Sequence, residues 1–168
     1  LLWAGVLDGT IDAIVSDHSP STAAMKQRGD GDFAQAWGGI AGLQTGLSAV
    51  WTAARTRGIP LETLLPLLTT GPARIAGLEN LGVLAPGVPA HLVVLSPEAT
   101  FTVHADELEY RNRISPWDGR TLSGVVEETY LAGERVYLRG EAIETRRGRE
   151  ILATRAAAAP VIPEEGRA

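Results

Sequence analysis

A short stretch at residues 14–20, IVSDHSP, holds the side chains of this chain that are best suited to chemistry. Asp17 and His18 end an apolar run just before Pro20. A carboxylate at such a point can bind a metal ion or carry a proton, and an imidazole can act as a ligand or a base. Asp also commonly starts turns, and a lone His beside an Asp is usually a hydrogen-bonded structural group. Taken alone, these residue types favour the turn and structural interpretations, and the catalytic ones stay open.

A second candidate is the glycine pair Gly38-Gly39 in the string WGGI at residues 37–40. Glycines let a backbone approach a bound ligand closely, so free N–H or C=O groups can contact it. The alternative is that the pair only lets a loop enter a helix, and both interpretations stay open. The remaining histidines, His91 and His104, do not have the HxH or HExxH spacing of a metal site.

Composition narrows the class of protein. The chain has 168 residues, of which 45% are hydrophobic and 21% charged, which is typical of a globular chain with a real core. A net charge of −5 without any Lys/Arg block argues against nucleic-acid or membrane-surface partners. Because the chain has no cysteine, a disulfide framework and a thiolate metal site are excluded, and a cytoplasmic location is expected.

The first half reads as an α/β arrangement, because apolar residues at helical spacing end at Asp8-Gly9 and a β-branched run follows them. The predicted elements are a helix end at 1–7, a strand buried on both faces at 11–15, a long loop at 19–32, and helices at 33–57, 60–68 and 73–78. A buried strand between helices is typical of a parallel sheet, in which ligands lie beyond the carboxyl ends of the strands. Asp17 would lie at that end.

The spacing of apolar residues changes from that of helices to that of strands at about Leu81. Two apolar runs at 92–95 and 100–103 are predicted strands, and the alternation on both sides of Ala132-Gly133 predicts a hairpin. The chain is therefore divided into a part of a barrel at 1–80, a β-module at 81–152 and a disordered tail at 153–168.

Longer strings resemble the C-terminal part of allantoinases, which are cyclic amidohydrolases of the amidohydrolase superfamily. The matching strings are DGTIDAIVSDHSP, GDFAQAWGGIAGLQTGLSAVWTAARTRG, TGPAR, GVLAPGVPAHLVVLSPE and SPWDGRTLSGVVEETYLAGERVY, and together they extend over roughly residues 1 to 152. The resemblance implies the last strand and helices of a TIM-like (β/α)8 barrel, followed by part of a small β-sandwich. Residues 11–15 match the eighth strand.

The resemblance also implies a site and an activity. Asp17 matches a metal ligand that carries a proton between water and the leaving nitrogen, while Ser19, Gly38 and Gly39 match groups that face the substrate. The expected cofactor is a divalent metal, zinc in a binuclear centre, and the expected reaction opens the ring amide of allantoin to give allantoate. The expected partners are a small cyclic ureide and further copies of the chain, in a tetramer.

Departures from the family pattern keep other assignments open. Ser21 stands where allantoinases commonly have Cys, and Pro89-Ala90-His91 replaces an Asp-Ala-Asp string. Dihydroorotases usually have a substrate-binding His at the position of Ser21, so this serine disfavours a dihydroorotase. Hydantoinase or dihydropyrimidinase, dihydroorotase, and a non-catalytic structural partner are the alternatives.

The chain length bears on activity. A (β/α)8 barrel alone takes about 250 residues, and the chain begins at Leu1. We therefore expect a C-terminal piece of a longer protein, with the other metal ligands upstream. That piece is expected to be inactive by itself.

Overall fold

Five short helices precede a three-stranded sheet in the described residues, which are 1–78, 80–141 and 148–151 of this computed structural model. The elements in chain order are α1 (Leu2–Asp8), α2 (Ala23–Lys26), α3 (Gly46–Arg55), α4 (Leu61–Leu68), α5 (Thr70–Ile75), β1 (Leu92–Thr102), a 3-10 turn (Ala105–Glu107), β2 (Thr121–Leu131) and β3 (Glu134–Leu138). The tail predicted at 153–168 lies outside the described residues. No helix within the described ranges has the length and apolar character needed to cross a membrane.

The end of α1 confirms the predicted helix end. Gly9 adopts the left-handed conformation at φ 81°, and the Asp8 carboxylate accepts a hydrogen bond from the Thr10 N–H at 2.9 Å. Glycine closes helices in this way because it lacks the Cβ that makes a positive φ costly.

The strand predicted at 11–15 is wrong, because residues 11–15 carry no strand in the structure. The Ile14 N–H instead donates to the carbonyl of Leu67 in α4 at 2.8 Å. Val15 is 71% exposed, which contradicts burial on both faces. A strand needs a neighbouring strand to complete its hydrogen bonds, and the described part of the chain places none beside these residues.

The loop at 19–32 and the helix at 33–57 also need correction. The loop contains α2, where the Thr22 Oγ1 accepts from the Met25 N–H at 3.3 Å as an N-cap. The long helix begins only at Gly46. Ile40 is instead held by a parallel bridge to His18, so its backbone is not available for helical hydrogen bonds.

The next two helices follow the sequence more closely. α4 confirms the helix predicted at 60–68, with Pro66 inside it. α5 begins at Thr70, three residues before the predicted start, and ends at Ile75. Pro72 is its third residue, where the missing N–H would have had no helical partner anyway.

The sheet is antiparallel with the order β1-β2-β3. The two runs predicted at 92–95 and 100–103 form one strand, β1, whose register shifts between Ser96 and Thr100. The predicted hairpin is confirmed, since β2 and β3 pair on both sides of Ala132 and Gly133. These two residues have positive φ values of 51° and 85°, as in the two-residue turns whose backbone twist matches that of the strands they join.

Helix α3 joins the two halves of the chain by packing on β2. Ser48 Oγ donates to the carbonyl of Gly124 at 2.6 Å, and Trp51 Nε1 donates to the carbonyl of Pro97 at 2.8 Å. Two apolar clusters flank this contact; their buried members are Trp51, Ala54, Ile59 and Leu64 in one, and Ala41, Ala49, Val103, Leu108, Tyr110 and Leu122 in the other. The division at residues 80 and 81 stays a prediction.

Candidate active-site loop

Asp17 lies at the tip of a sharp turn. Its backbone is left-handed, with φ 40°, a conformation that Asp adopts more readily than most residues. Its side chain is exposed, and within the described residues no hydrogen bond or ion pair engages its carboxylate. Only its backbone carbonyl is held, by the Ser19 hydroxyl at 2.9 Å.

His18 is engaged in structural contacts. Its Nδ1 accepts from the Leu43 N–H at 3.2 Å, and its ring lies 5.2 Å from that of Tyr110. A neutral imidazole that accepts at Nδ1 carries its proton at Nε2. These contacts fit the structural interpretation of His18, and they tie the loop after Asp17 to the β-module.

Ser19 and Gly39 lie against each other. The Ser19 N–H donates to the carbonyl of Ile40 at 2.9 Å, and the Ile40 N–H donates to Ser19 Oγ at 3.2 Å. Gly39 has φ 86°, and a Cβ at that position would lie 2.5 Å from both the carbonyl oxygen and Oγ of Ser19. Only glycine fits this approach. The structure therefore brings together Ser19 and Gly39, two of the three residues that the sequence proposed for substrate binding, and the third, Gly38, is adjacent in the chain.

Lys26 holds the other side of the glycine pair, and the sequence reasoning missed it. Its ammonium donates to the carbonyls of Trp37 and Gly38, each at 3.0 Å, and also to that of Gly39. The carbonyl of Met25 accepts from the Trp37 N–H at 3.0 Å. One signal was available: Lys26 is the single lysine of the chain, in a loop with several breakers.

The N–H groups of Gly38 and Gly39 stay free among the described residues, although the N–H groups on either side of them are bonded. The planar trans peptide explains this arrangement, because each C=O and the N–H of the following residue point in opposite directions. Carbonyls directed at Lys26 therefore direct these two N–H groups to the other side, where they can donate to a ligand.

A cavity of about 340 Å³ opens beside this loop. Its lining is mainly apolar and consists of Ser21, Lys26, Gly39, Ile40, Ala41, Ile114, Ser115 and Pro116. Ser21 is 5% exposed, and its Oγ has no hydrogen-bond partner among the described residues. The loop after Asp17 and the segment at 114–116 thus share one concave surface.

The carboxylate of Asp32 stabilises the outer part of the loop. It accepts from Gln35 Nε2 and from the Ala34 N–H, both at 2.9 Å. The bond from Gln35 has the larger effect and the bond from Ala34 the smaller. Both lower the pKa of Asp32 below its ordinary value, because they favour the charged form.

The residues that the structure describes do not make a metal site by themselves. Within the described ranges, no group of three His, Cys, Asp or Glu side chains lies close enough to hold an ion. His91 does not contribute to a site with Asp17, because its Nδ1 accepts a hydrogen bond from the Ala132 N–H at 3.2 Å, in the turn between β2 and β3. Asp17 offers one carboxylate, and one carboxylate does not hold a divalent ion tightly.

Comparisons with known proteins place these features in a family. The model of the Amidohydrolase family matches residues 18–137. Over 146 residues the chain is 49% identical to "Allantoinase" of Streptomyces avermitilis, covering 87% of this chain and 32% of that protein. Over 147 residues it is 40% identical to "Probable allantoinase 2" of Dictyostelium discoideum, and this match covers 84% of this chain and 29% of that protein. The chain thus spans about a third of the length of these curated relatives.

A solved structure, the L-hydantoinase (dihydropyrimidinase) from Arthrobacter aurescens, matches with a TM-score of 0.77 and 29% identity. The match covers 84% of this chain and 32% of the hydantoinase. Hydantoinases are TIM-barrel enzymes, and the predicted fold class is confirmed: the chain is a mixed α/β part of a fold of that kind, with a small antiparallel sheet.

Proposed function

The chain belongs to the amidohydrolase family, and on that premise we propose that the whole protein is a metal-dependent cyclic amidohydrolase that converts allantoin to allantoate. The observation that carries the proposal is the difference between Asp17 and its neighbours. His18 and Ser19 are bonded to the backbone around them, whereas the Asp17 carboxylate is exposed and unbonded. A proton carrier needs such a free carboxylate at a fixed backbone position.

In this proposal Asp17 is both a metal ligand and the proton carrier of the reaction. It takes the proton of the hydroxide as that hydroxide attacks the amide carbonyl, and returns it to the ring nitrogen as the amide bond breaks. A divalent metal, when bound, supplies a hydroxide at neutral pH. Since the part of the chain that the structure describes does not form a metal site, we assign metal binding to the whole protein, with further ligands from residues other than the described ones.

Substrate binding is assigned to the loop that Ser19 links to the Asp17 turn. The free N–H groups of Gly38 and Gly39 can donate to a carbonyl of the ureide ring. Ser19 keeps those glycines in place, because its own hydroxyl is already bonded to Asp17 and to the Ile40 N–H. Preorganised donors of this kind stabilise the charge that develops on a carbonyl oxygen.

The finer assignments belong to the same proposal. We take the metal to be zinc in a binuclear centre, the role to be allantoin degradation in purine metabolism, and the location to be the cytoplasm. We further propose a tetramer of the whole protein. Metal analysis, cell fractionation and light scattering of the whole protein test these assignments directly.

The experiment is an assay of the whole protein, in its metal-loaded form, with Asp17→Asn. We expect kcat on allantoin to fall by about 10²–10⁴-fold, the range for loss of a positioned acid or base. Asp30→Asn is a matched control, because Asp30 is also exposed and left-handed, with φ 45°. Equal activity of the two variants would remove Asp17 from the site.

A second candidate reaction is the hydrolysis of hydantoins or dihydropyrimidines. The likeness to the Arthrobacter aurescens hydantoinase favours it. Assays of the whole protein on allantoin, hydantoin and dihydrouracil separate the two, and dihydroorotate is the third comparison. Turnover of none of these substrates by the metal-loaded protein would favour the non-catalytic structural partner instead.

A further inference from the structure

We propose that Lys26 is a positioning residue of the site, because its ammonium sets the orientation of the peptides that carry the free N–H groups of Gly38 and Gly39. The inference deepens the proposed function and rests on it for the identity of the substrate. The contacts that carry it are independent of that function, and so is the first of its tests.

The ammonium of Lys26 is fully used by the loop. A lysine has three N–H donors and no acceptor, and Lys26 meets three successive carbonyls, those of Trp37, Gly38 and Gly39. The residue is half-buried, so these bonds to a charged donor are stronger than neutral ones. No donor of Lys26 is left for a substrate.

The three bonds fix the opposite side of the same peptides. The N–H groups attached to these carbonyls belong to Gly38, Gly39 and Ile40, and they point away from the ammonium because the peptides are planar and trans. The Ile40 N–H reaches Ser19 Oγ. The other two form a pair of free donors, and the positive charge behind them favours a carbonyl oxygen or an oxyanion in front.

The same network reaches the turn that holds Asp17. Ser19 exchanges two hydrogen bonds with Ile40, and its hydroxyl donates to the carbonyl of Asp17. Lys26 therefore orients, through one continuous set of bonds, both the donor pair and the carboxylate that we assign to proton transfer. A displacement of about 1 Å between such groups can cost about 10²-fold in rate.

The first test uses the 168-residue chain as it is, without mutation. Because Lys26 is its single lysine, labelling lysine with ¹⁵N at Nζ gives one ammonium signal. We expect the protons of that ammonium to exchange with water more slowly than in the chain unfolded in urea. Exchange at the rate of the unfolded chain would overturn the proposal.

The second test compares Lys26→Met with Arg28→Met in the same chain. Arg28 is an exposed cation of the same loop without a bond or ion pair among the described residues, so it controls for charge. We expect amide exchange at Ser19 and Ile40 to accelerate about tenfold or more in Lys26→Met only. The Ile59 amide, which donates to the carbonyl of Ala54 at 3.1 Å, reports whether α3 stays folded.

Lys26→Arg is the second variant, in case Lys26→Met fails to fold. The guanidinium is planar and spreads its donors over a fork, so it does not converge on three carbonyls as an ammonium does. We expect it to keep the charge and the fold but to give faster exchange at Ile40. Native exchange rates in this variant would overturn the need for an ammonium.

The third test is kinetic and uses the whole metal-loaded protein. With Lys26→Met we expect kcat to fall by about 10²-fold, with a KM change below about threefold and an unchanged pH optimum, because Lys26 transfers no proton. An unchanged kcat would overturn the positioning role, whatever the exchange rates. If the native protein hydrolyses no cyclic amide while the exchange results hold, the proposed function fails and the loop contact stands without a catalytic role.

Discussion

Two regions of this chain, the loop at residues 17–41 and the contact of α3 with β2 and α4, are held together by opposite means. The loop is mostly exposed and is held by hydrogen bonds of polar side chains, among them Ser19, Lys26 and Asp32. The α3 contact buries Trp51 and Leu64. Apolar burial dominates folding free energy, whereas an exposed hydrogen bond contributes about 0.5–1.5 kcal/mol. Substitutions in the loop should therefore affect the site more than the free energy of unfolding. Substitutions at the α3 contact should affect the free energy of unfolding more than the site.

The largest expected effect is on the α3 side, with Leu64→Ala. Leu64 is fully buried, so truncation removes transfer free energy and leaves a cavity, at a cost of about 2–5 kcal/mol. Urea unfolding of the chain measures this loss. Leu65→Ala is the matched control, since Leu65 follows in the same helix but is 42% exposed. Equal losses in both variants would mean that burial in α4 does not govern stability.

Part of the architecture could be read from the sequence because it depends on local interactions. The predicted bounds of α4 and the hairpin at Ala132-Gly133 follow from helical spacing and from turn chemistry, and both agree with the structure. The helix end at Gly9 was predictable for the same reason. In each case the deciding residues lie within a few positions of one another.

The errors come from interactions between distant residues. Residues 11–15 have the composition of a strand, but a strand also needs neighbours, and Ile14 bonds to α4 instead. The helix predicted from residue 33 has helical spacing, yet Ile40 pairs with Ser19 and His18 across more than twenty residues. Lys26 was missed likewise, because its three carbonyl partners lie 11 to 13 residues away and no motif records such a contact.

A smaller loss is expected from Thr52→Val, which tests whether burial decides how much a hydrogen bond at α3 contributes to stability. Thr52 Oγ1 accepts from the buried Ser123 N–H at 2.7 Å and donates to the carbonyl of Ser48 at 2.6 Å. Leaving a buried N–H unpaired costs about 1–3 kcal/mol. Thr56→Val should cost less than about 0.5 kcal/mol, since Thr56 is exposed and its hydroxyl has only exposed partners, the carbonyl of Ala53 and the guanidinium of Arg57. A reversed order in urea unfolding would contradict the comparison.

Gly39→Ala should change global stability less than Thr52→Val and the loop far more. A methyl group there meets the Ser19 carbonyl and hydroxyl at 2.5 Å, so the loop has to open locally. Gly31→Ala is the matched control, because Gly31 also has a positive φ of 97° but no atom within 4 Å of the added carbon. Both variants bear the left-handed strain of about 1–2 kcal/mol.

The two glycine variants differ in what hydrogen exchange should report. We expect faster exchange of the Ile40 and Ser19 amides only in Gly39→Ala, with the β2 amides unchanged in both variants. In the whole protein, Gly39→Ala should also lower kcat/KM on the substrate. If Gly39→Ala instead unfolds the chain as strongly as Leu64→Ala, the loop is part of the stabilising core and the contrast between the regions is lost.

The smallest effect is expected on the surface of the sheet, at Glu128. Its carboxylate accepts from the Tyr130 hydroxyl at 2.6 Å and from Arg135 at 3.3 Å. Both bonds lower the pKa of Glu128 below its ordinary value of 4.5, and the bond from Tyr130 has the larger effect. A carboxyl group with a lowered pKa in the folded state stabilises the protein above its unfolded pKa, and this stabilisation is lost as the pH falls through the folded pKa.

Glu128→Gln should therefore flatten the dependence of stability on pH below about 4.5 and leave the loop amides unaffected. Thermal unfolding from neutral pH down to about pH 3 measures the slope. Tyr130→Phe removes the larger cause of the lowered pKa and should give a partial change in the same direction. Glu127→Gln, which removes the pair with Arg139 at 3.6 Å but no hydroxyl bond, is the control. If it flattens the acid slope as much as Glu128→Gln, charge pairing on β2 in general, rather than the Tyr130 hydrogen bond, sets the response of the sheet to acid.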